Sequence, residues 1–243
     1  MSRFAGIFNA LLDIALPPRC HICHKPVQGE ISLHICNECY NSLPVINSPL
    51  CTVCGMPFEG EGVDHTCSRC ITSPPPYSAA RAALRYEGSC KELIHAYKYL
   101  YKSHLRRPLA LLTAEILHSF VSEQRPELLI PVPLHKSRLR SRGFNQSLLI
   151  AETLSRNWQI PLLRQGLIRT RRTTPQVELT RAERLTNLKG AFAVKDTESV
   201  TGKHIMLVDD VFTTGATLSA CAEALLKAGC SRISAVTVAH AIN

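Results

Sequence analysis

Apolar residues recur at helical spacing through Phe4, Ile7, Phe8, Leu11, Leu12 and Ala15, which predicts an amphipathic helix within residues 1–18. Residues 19–72 show no such period. After the linker Ile71-Thr-Ser-Pro-Pro-Pro76 the pattern changes to alternating short apolar runs and longer helical ones. Strands are predicted over Ala79–Tyr86, Leu128–Val132, Gly166–Thr170, His204–Val208 and Ile233–Val238. Helices are predicted over Lys91–Tyr101, Leu105–Val121, Asn145–Trp158 and Gly215–Ala228, the last closed by Gly229. Strands alternating with helices imply an α/β domain over 77–243, with a parallel sheet and right-handed crossovers. Ligands in such sheets sit beyond the carboxyl ends of the strands.

The 243-residue chain has room for one such domain and a small appendage. No stretch approaches the roughly 20 apolar residues of a membrane-spanning helix. Asn9 and Asp13 interrupt the first apolar stretch, and no small-residue cleavage site precedes Pro17-Pro18. The first helix therefore reads as docked on the protein's own core, since Arg3 alone makes a poor membrane-facing basic face. A cytoplasmic protein without a membrane span is expected.

The chain has 11 cysteines, an odd count, and eight of them fall in four CxxC pairs. Cys20, Cys23, Cys36 and Cys39 form one unit; Cys51, Cys54, Cys67 and Cys70 repeat its spacing. Pro26 and Pro57, Gly29 and Gly60, Glu30 and Glu61, and His34 and His65 match at the same offset, so residues 19–72 are a duplication. Each CxxC points two thiolates at one spot, and two complete the tetrahedral sulfur cage of structural zinc. About two zinc ions are expected; spacing allows a sequential or a cross-braced pairing, and the sequential one is favoured because each repeat carries both of its own knuckles. Four sulfurs leave no open position for catalysis, and His34 and His65 are not needed as ligands. Cys90, Cys221 and Cys230 have no spacing pattern and read as packing residues.

The net charge of +9 is unevenly placed. Residues 131–190 hold 12 basic and 3 acidic residues, whereas the flanking segments are nearly balanced. Such a field attracts polyanions. Arg138, Arg140 and Arg142 could serve a pyrophosphate, a nucleic acid backbone or only solvent, and Arg171, Arg172, Arg181 and Arg184 carry the same ambiguity.

The most specific chemistry lies in Ile205-Met-Leu-Val-Asp-Asp-Val-Phe-Thr-Thr-Gly-Ala-Thr217. Two acids leave a strand, and a turn over Thr213, Thr214, Gly215, Ala216 and Thr217 opens a helix. Backbone amides of that turn form a concave phosphate site, with threonine hydroxyls as further donors. Asp209 and Asp210 repel a phosphate; they suit the neighbouring ribose diol, or a magnesium ion bridging sugar and pyrophosphate.

This run resembles the phosphoribosyl pyrophosphate motif of type I phosphoribosyltransferases. Nearly the whole chain resembles the ComF family, the ComFC and GntX group of competence and DNA-utilisation proteins. The further marks are Pro131-Val-Pro-Leu-His-Lys-Ser-Arg-Leu-Arg-Ser-Arg-Gly-Phe-Asn-Gln146, Arg172-Thr-Thr-Pro-Gln176, Arg184, Asn187 and Gly190-Ala-Phe192. The resemblance implies a type I phosphoribosyltransferase fold behind a double zinc ribbon. It further implies catalytic roles for Asp209 and Asp210, pyrophosphate binding by His135, Lys136 and Arg138, and a mobile loop carrying Arg171, Arg172 and Gln176. Magnesium with phosphoribosyl pyrophosphate, or a related sugar phosphate, is the implied ligand, in the setting of DNA uptake, transformation or use of DNA as a nutrient. Thr213 departs from the Asp with which many nucleobase transferases handle the base proton.

Two function classes follow. One is a phosphoribosyltransferase or a former one; the other is a non-enzymatic adaptor for single-stranded DNA and DNA-uptake proteins, using the basic segment and the ribbons. Two adjacent acids favour a ribose with both hydroxyls, which DNA lacks.

Overall fold

The computed structural model describes residues 18–27, 33–100, 102–171, 188 and 190–242. The predicted N-terminal helix lies outside the described residues, as do Arg172, Gln176, Arg181, Arg184 and Asn187. The chain forms two compact units, residues 1–43 and 44–243.

The repeat is visible in the backbone. In the first ribbon Cys20 N–H donates to Lys25 O, His24 N–H to Cys20 O and Val27 N–H to Pro18 O. In the second, Cys51 N–H donates to Met56 O, Gly55 N–H to Cys51 O and Phe58 N–H to Pro49 O. Each ribbon ends in a five-residue helix that carries its last cysteine, α1 (Asn37–Asn41) and α2 (Ser68–Thr72). The division of the chain falls between the ribbons, so the second belongs to the same unit as the α/β sheet.

Four parallel strands make that sheet: β1 (Ala79–Arg85), β2 (Leu128–Pro131), β5 (His204–Phe212) and β6 (Arg232–His240), in the order β1-β6-β5-β2. Their side chains are buried on both faces, which is why they read as continuous apolar runs. The strand expected at 166–170 does not join them. As β3 (Leu167–Arg169) it pairs antiparallel with the short β4 (Phe192–Val194), in a separate two-stranded sheet. A three-residue run can pair either way.

The helices are α3 (Gly88–Tyr99), α4 (Arg106–Ile116), α5 (His118–Gln124), α6 (Lys136–Arg142), α7 (Gln146–Trp158) and α8 (Ala216–Lys227). The single helix expected over Leu105–Val121 is broken at Leu117, which ends α4 and starts α5. Helices α4 and α7 pack on each other; α7 also lies against β2 and β5, and α4 against β1 and β6. Leu218, Cys221 and Leu225 of α8 bury with Ile205, Leu207, Ile233 and Ala235 of the sheet.

The second ribbon covers the exposed edge of β1, a row of backbone groups that sheets do not leave open. Ala80 N–H donates to Val53 O at 2.7 Å, and at the other end of the strand Ile46 N–H donates to Ala83 O at 3.0 Å. Arg81 Nη1 donates to the Cys51 and Thr52 carbonyls at 3.3 and 3.1 Å. Gly55 shows how close this approach is, since a Cβ there would stand 2.6 Å from Ala80 O. The matching residue of the first ribbon, His24, shares the positive φ, 60° against 69°, but keeps its side chain.

Candidate functional site

The eight paired cysteines form two cages. In each, the four sulfurs lie within 4.8 Å of one another, Cys20, Cys23, Cys36 and Cys39 in one and Cys51, Cys54, Cys67 and Cys70 in the other. Zinc with Zn–S bonds near 2.3 Å holds its sulfurs about 3.8 Å apart. Cys23 and Cys36 stand at 3.6 Å, Cys54 and Cys67 at 3.8 Å. Burial opposes ionisation of Cys20 and Cys51, but amides aimed at them outweigh it and lower both to about 6. Cys36 N–H and Ile22 N–H point at Cys20 Sγ, Cys67 N–H and Cys54 N–H at Cys51 Sγ. Burial and the crowding of neighbouring sulfurs push Cys39, Cys54 and Cys70 the other way, so it is the spacing of the four sulfurs in each cage that fits structural zinc. The two histidines stand outside the cages: His65 stacks on Phe58 with ring centroids 4.0 Å apart, and His34 lies near His21.

A cleft of about 340 Å³ opens at the carboxyl ends of β2 and β5. Asp209 and Asp210 lie inside β5 rather than beyond it, because β6 continues to His240 and keeps the ladder paired up to Phe212. Ser147 Oγ donates to Asp209 Oδ1 at 2.7 Å, and Asp210 N–H donates to the same oxygen at 2.9 Å. Burial and the charge of Asp210 push the Asp209 carboxyl up to about 7 against those donors. Asp210 pairs with Lys98, whose Nζ lies 2.9 Å from Oδ2. Burial opposes the Lys98 charge, but Asp210 holds the ammonium above its ordinary range.

The turn after β5 opens α8. Gly215 caps the helix at φ +79°, where a Cβ would meet Phe212 Cζ at 2.9 Å and Tyr77 Oη at 3.3 Å. Thr214 Oγ1 accepts from Ala216 N–H at 3.4 Å, while Thr213 and Thr217 face the cleft. A left-handed Gly215 followed by a 12-residue helix is the kind of backbone arrangement that can hold a phosphate on its amides.

Arginines also line the cleft: Arg138 and Arg142 from α6 and Arg169 from β3. Burial, then the like charge of Arg138, pulls Arg169 below its ordinary range. His135 and Lys136 do not line the cleft. His135 caps α6, its Nδ1 accepting from Ser137 N–H at 3.2 Å, and Lys136 begins that helix. Arg171 is exposed beyond β3 and also lies off the cleft.

Lys98, Tyr86, Tyr99, Gln146, Ser147 and Arg169 reach the cleft without having been singled out in the sequence. Gln146 stood in the quoted Gly-Phe-Asn-Gln run. Lys98 and Tyr99 carry no motif of their own.

Comparison with known proteins agrees with this architecture. Residues 11–71 match the model of the double zinc ribbon domain, and residues 145–242 match that of the phosphoribosyl transferase domain. DNA utilization protein YhgH of Escherichia coli K12 is 36% identical over 163 residues, spanning 66% of this chain and 71% of that protein. Competence protein ComFC of Bacillus subtilis is 34% identical over 146 residues, 56% of this chain and 58% of the relative. Competence protein F of Haemophilus influenzae is 38% identical over 117 residues, 48% and 51% of the two. Among the described residues no helix is long and apolar enough to cross a membrane. Carrying a double zinc ribbon before a phosphoribosyl transferase domain, 36% identical to one relative across 71% of that relative's length and similar to competence proteins F and ComFC, the chain belongs to the ComF family.

Proposed function

We propose that the cleft binds the ribose 5-phosphate part of phosphoribosyl pyrophosphate or a related sugar phosphate, and that the protein transfers that group or descends from one that did. The observation that carries this reading is the placement of Asp209 and Asp210 beside the turn Thr213–Thr217 in one cleft that Arg138, Arg142 and Arg169 also line. The turn amides and the start of α8 hold the 5-phosphate. The acids accept from the ribose hydroxyls, and the arginines face the pyrophosphate. Departure of that group leaves positive charge on the sugar, so the chain's part is to hold both ends and exclude water.

The acids are not a ready metal cage, because Asp209 Oδ1 already accepts from Ser147 and Asp210 N–H, and Asp210 pairs with Lys98. Magnesium, which keeps several waters and favours phosphate oxygens, suits the pyrophosphate instead. The names of the relatives supply the setting, in which the ribosyl phosphate chemistry serves DNA uptake, transformation or use of DNA as a nutrient.

Helix α6 supports a second reading, since Lys136, Arg138 and Arg140 are exposed along it and suit a nucleic acid backbone. A single-stranded DNA adaptor of that kind has no use for a ribose diol. Calorimetry with ribose 5-phosphate and 2-deoxyribose 5-phosphate separates the two. The transferase-like site should prefer the ribose by about tenfold, the worth of one hydrogen bond to a charged acceptor. Equal affinities would favour the adaptor.

A further inference from the structure

Resting on the ribosyl phosphate reading of the cleft, we propose that Lys98 is the resident cation of the acid pair: its ammonium occupies Asp210 and keeps the ligand-free protein from binding a free divalent metal there. Two adjacent carboxylates at a strand end are the donors a hard divalent ion seeks. Here the charge is already compensated from within the chain, at 2.9 Å, between side chains only 15% and 6% exposed.

The ammonium is held in place by more than its partner. Lys98 is the penultimate residue of α3, and its neighbour Tyr97 is fully buried. Tyr97 Oη donates to Gln146 O at 2.9 Å, fastening the end of α3 to the start of α7, the helix whose Ser147 grips Asp209. One anchor therefore sets both the lysine and the serine against the two acids.

The consequence is a division of labour. A sugar diol reaching the acids binds beside the ammonium, which stays paired with Asp210 in a cleft that Arg138 and Arg142 also line for the anionic part of the same ligand. Metal then enters with pyrophosphate, not before it. Removing the lysine leaves a buried carboxylate uncompensated, a costly state that any available cation relieves.

A merely structural tie between α3 and β5 predicts something different, and manganese titration of the full-length, zinc-loaded protein, followed by electron paramagnetic resonance, tells them apart. Wild type should show no manganese binding that depends on Asp210. Lys98→Met should gain manganese affinity by about tenfold or more, Lys98→Met/Asp210→Asn should lose the gain, and Lys98→Arg should behave as wild type. If Lys98→Met does not fold, Lys98→Gln, which keeps a donor toward Asp210, carries the same expectation. The proposal is overturned if wild type already binds manganese in a way Asp210→Asn abolishes, if neutral variants bind it no tighter than wild type, or if the gain survives Asp210→Asn. Ribose 5-phosphate is titrated separately into wild type. Its failure to bind, with the manganese gain intact, removes the sugar reading and keeps Lys98 as the cation of the pair.

Discussion

Gly215 shows how much one residue can carry. Its φ of +79° lies where a side chain is strained, and the space a Cβ needs is taken by Phe212, which is itself pinned edge-on against His240 at 4.5 Å. Gly215→Ala should cost about 1–2 kcal/mol in urea unfolding and weaken binding of ribose 5-phosphate, because the amides of the turn shift. Unchanged stability and affinity would show that the turn is looser than its geometry implies. Gly215 and the two acids were legible in the sequence because their chemistry is local, written in a dozen consecutive positions. Lys98 was not. Its meaning comes from a carboxylate far along the chain, and nothing near it distinguishes it from any lysine at the end of an amphipathic helix. His135, which the family resemblance implied for pyrophosphate by its place in the loop after β2, has its ring at the start of α6, accepting from Ser137 N–H, a local contact that its place in the loop did not announce.

At the scale of elements, the second ribbon is part of the α/β unit in a way that cysteine spacing did not disclose. Spacing predicts the cage but says nothing of what its outer surface touches. Cys51, Cys54 and Cys70 are buried in the same cluster as Ala80, Ile130, Leu207 and Ala235, and the knuckle caps the edge of β1. Cys51→Ser/Cys54→Ser should therefore lose one of two zinc ions and also lower the stability of the α/β unit by about 3 kcal/mol or more. Cys20→Ser/Cys23→Ser, in the separate compact unit, should lose the other zinc and leave that transition within about 0.5 kcal/mol of wild type. Metal analysis with denaturant unfolding reads both. An α/β transition indifferent to loss of the second cage would contradict the packing. The strands of the main sheet were legible because burial on both faces makes them continuous apolar runs. The β3–β4 pair was not, because three residues carry no period, and the break at Leu117 carries no proline or glycine to announce it.

For the whole molecule, the sheet order brings together residues from distant parts of the chain. Strand β2 ends at Pro131 opposite Val208 of β5, so the acids and the turn that come after Val208 meet the basic segment that follows β2. The basic excess of residues 131–190 thereby acquires a direction: three of its arginines line the same cleft as the acids, and others remain on the surface to attract polyanions. As a ribosyl phosphate site, the proposed cleft reads the sugar with its acids and the phosphate with its turn. Calorimetric titration of phosphoribosyl pyrophosphate with magnesium into wild type and into Asp209→Asn/Asp210→Asn tests it most directly. Saturable, magnesium-dependent binding to wild type is expected, abolished by the double substitution, with weak affinity for inorganic phosphate retained. Binding that is indifferent to magnesium and to both substitutions would contradict it.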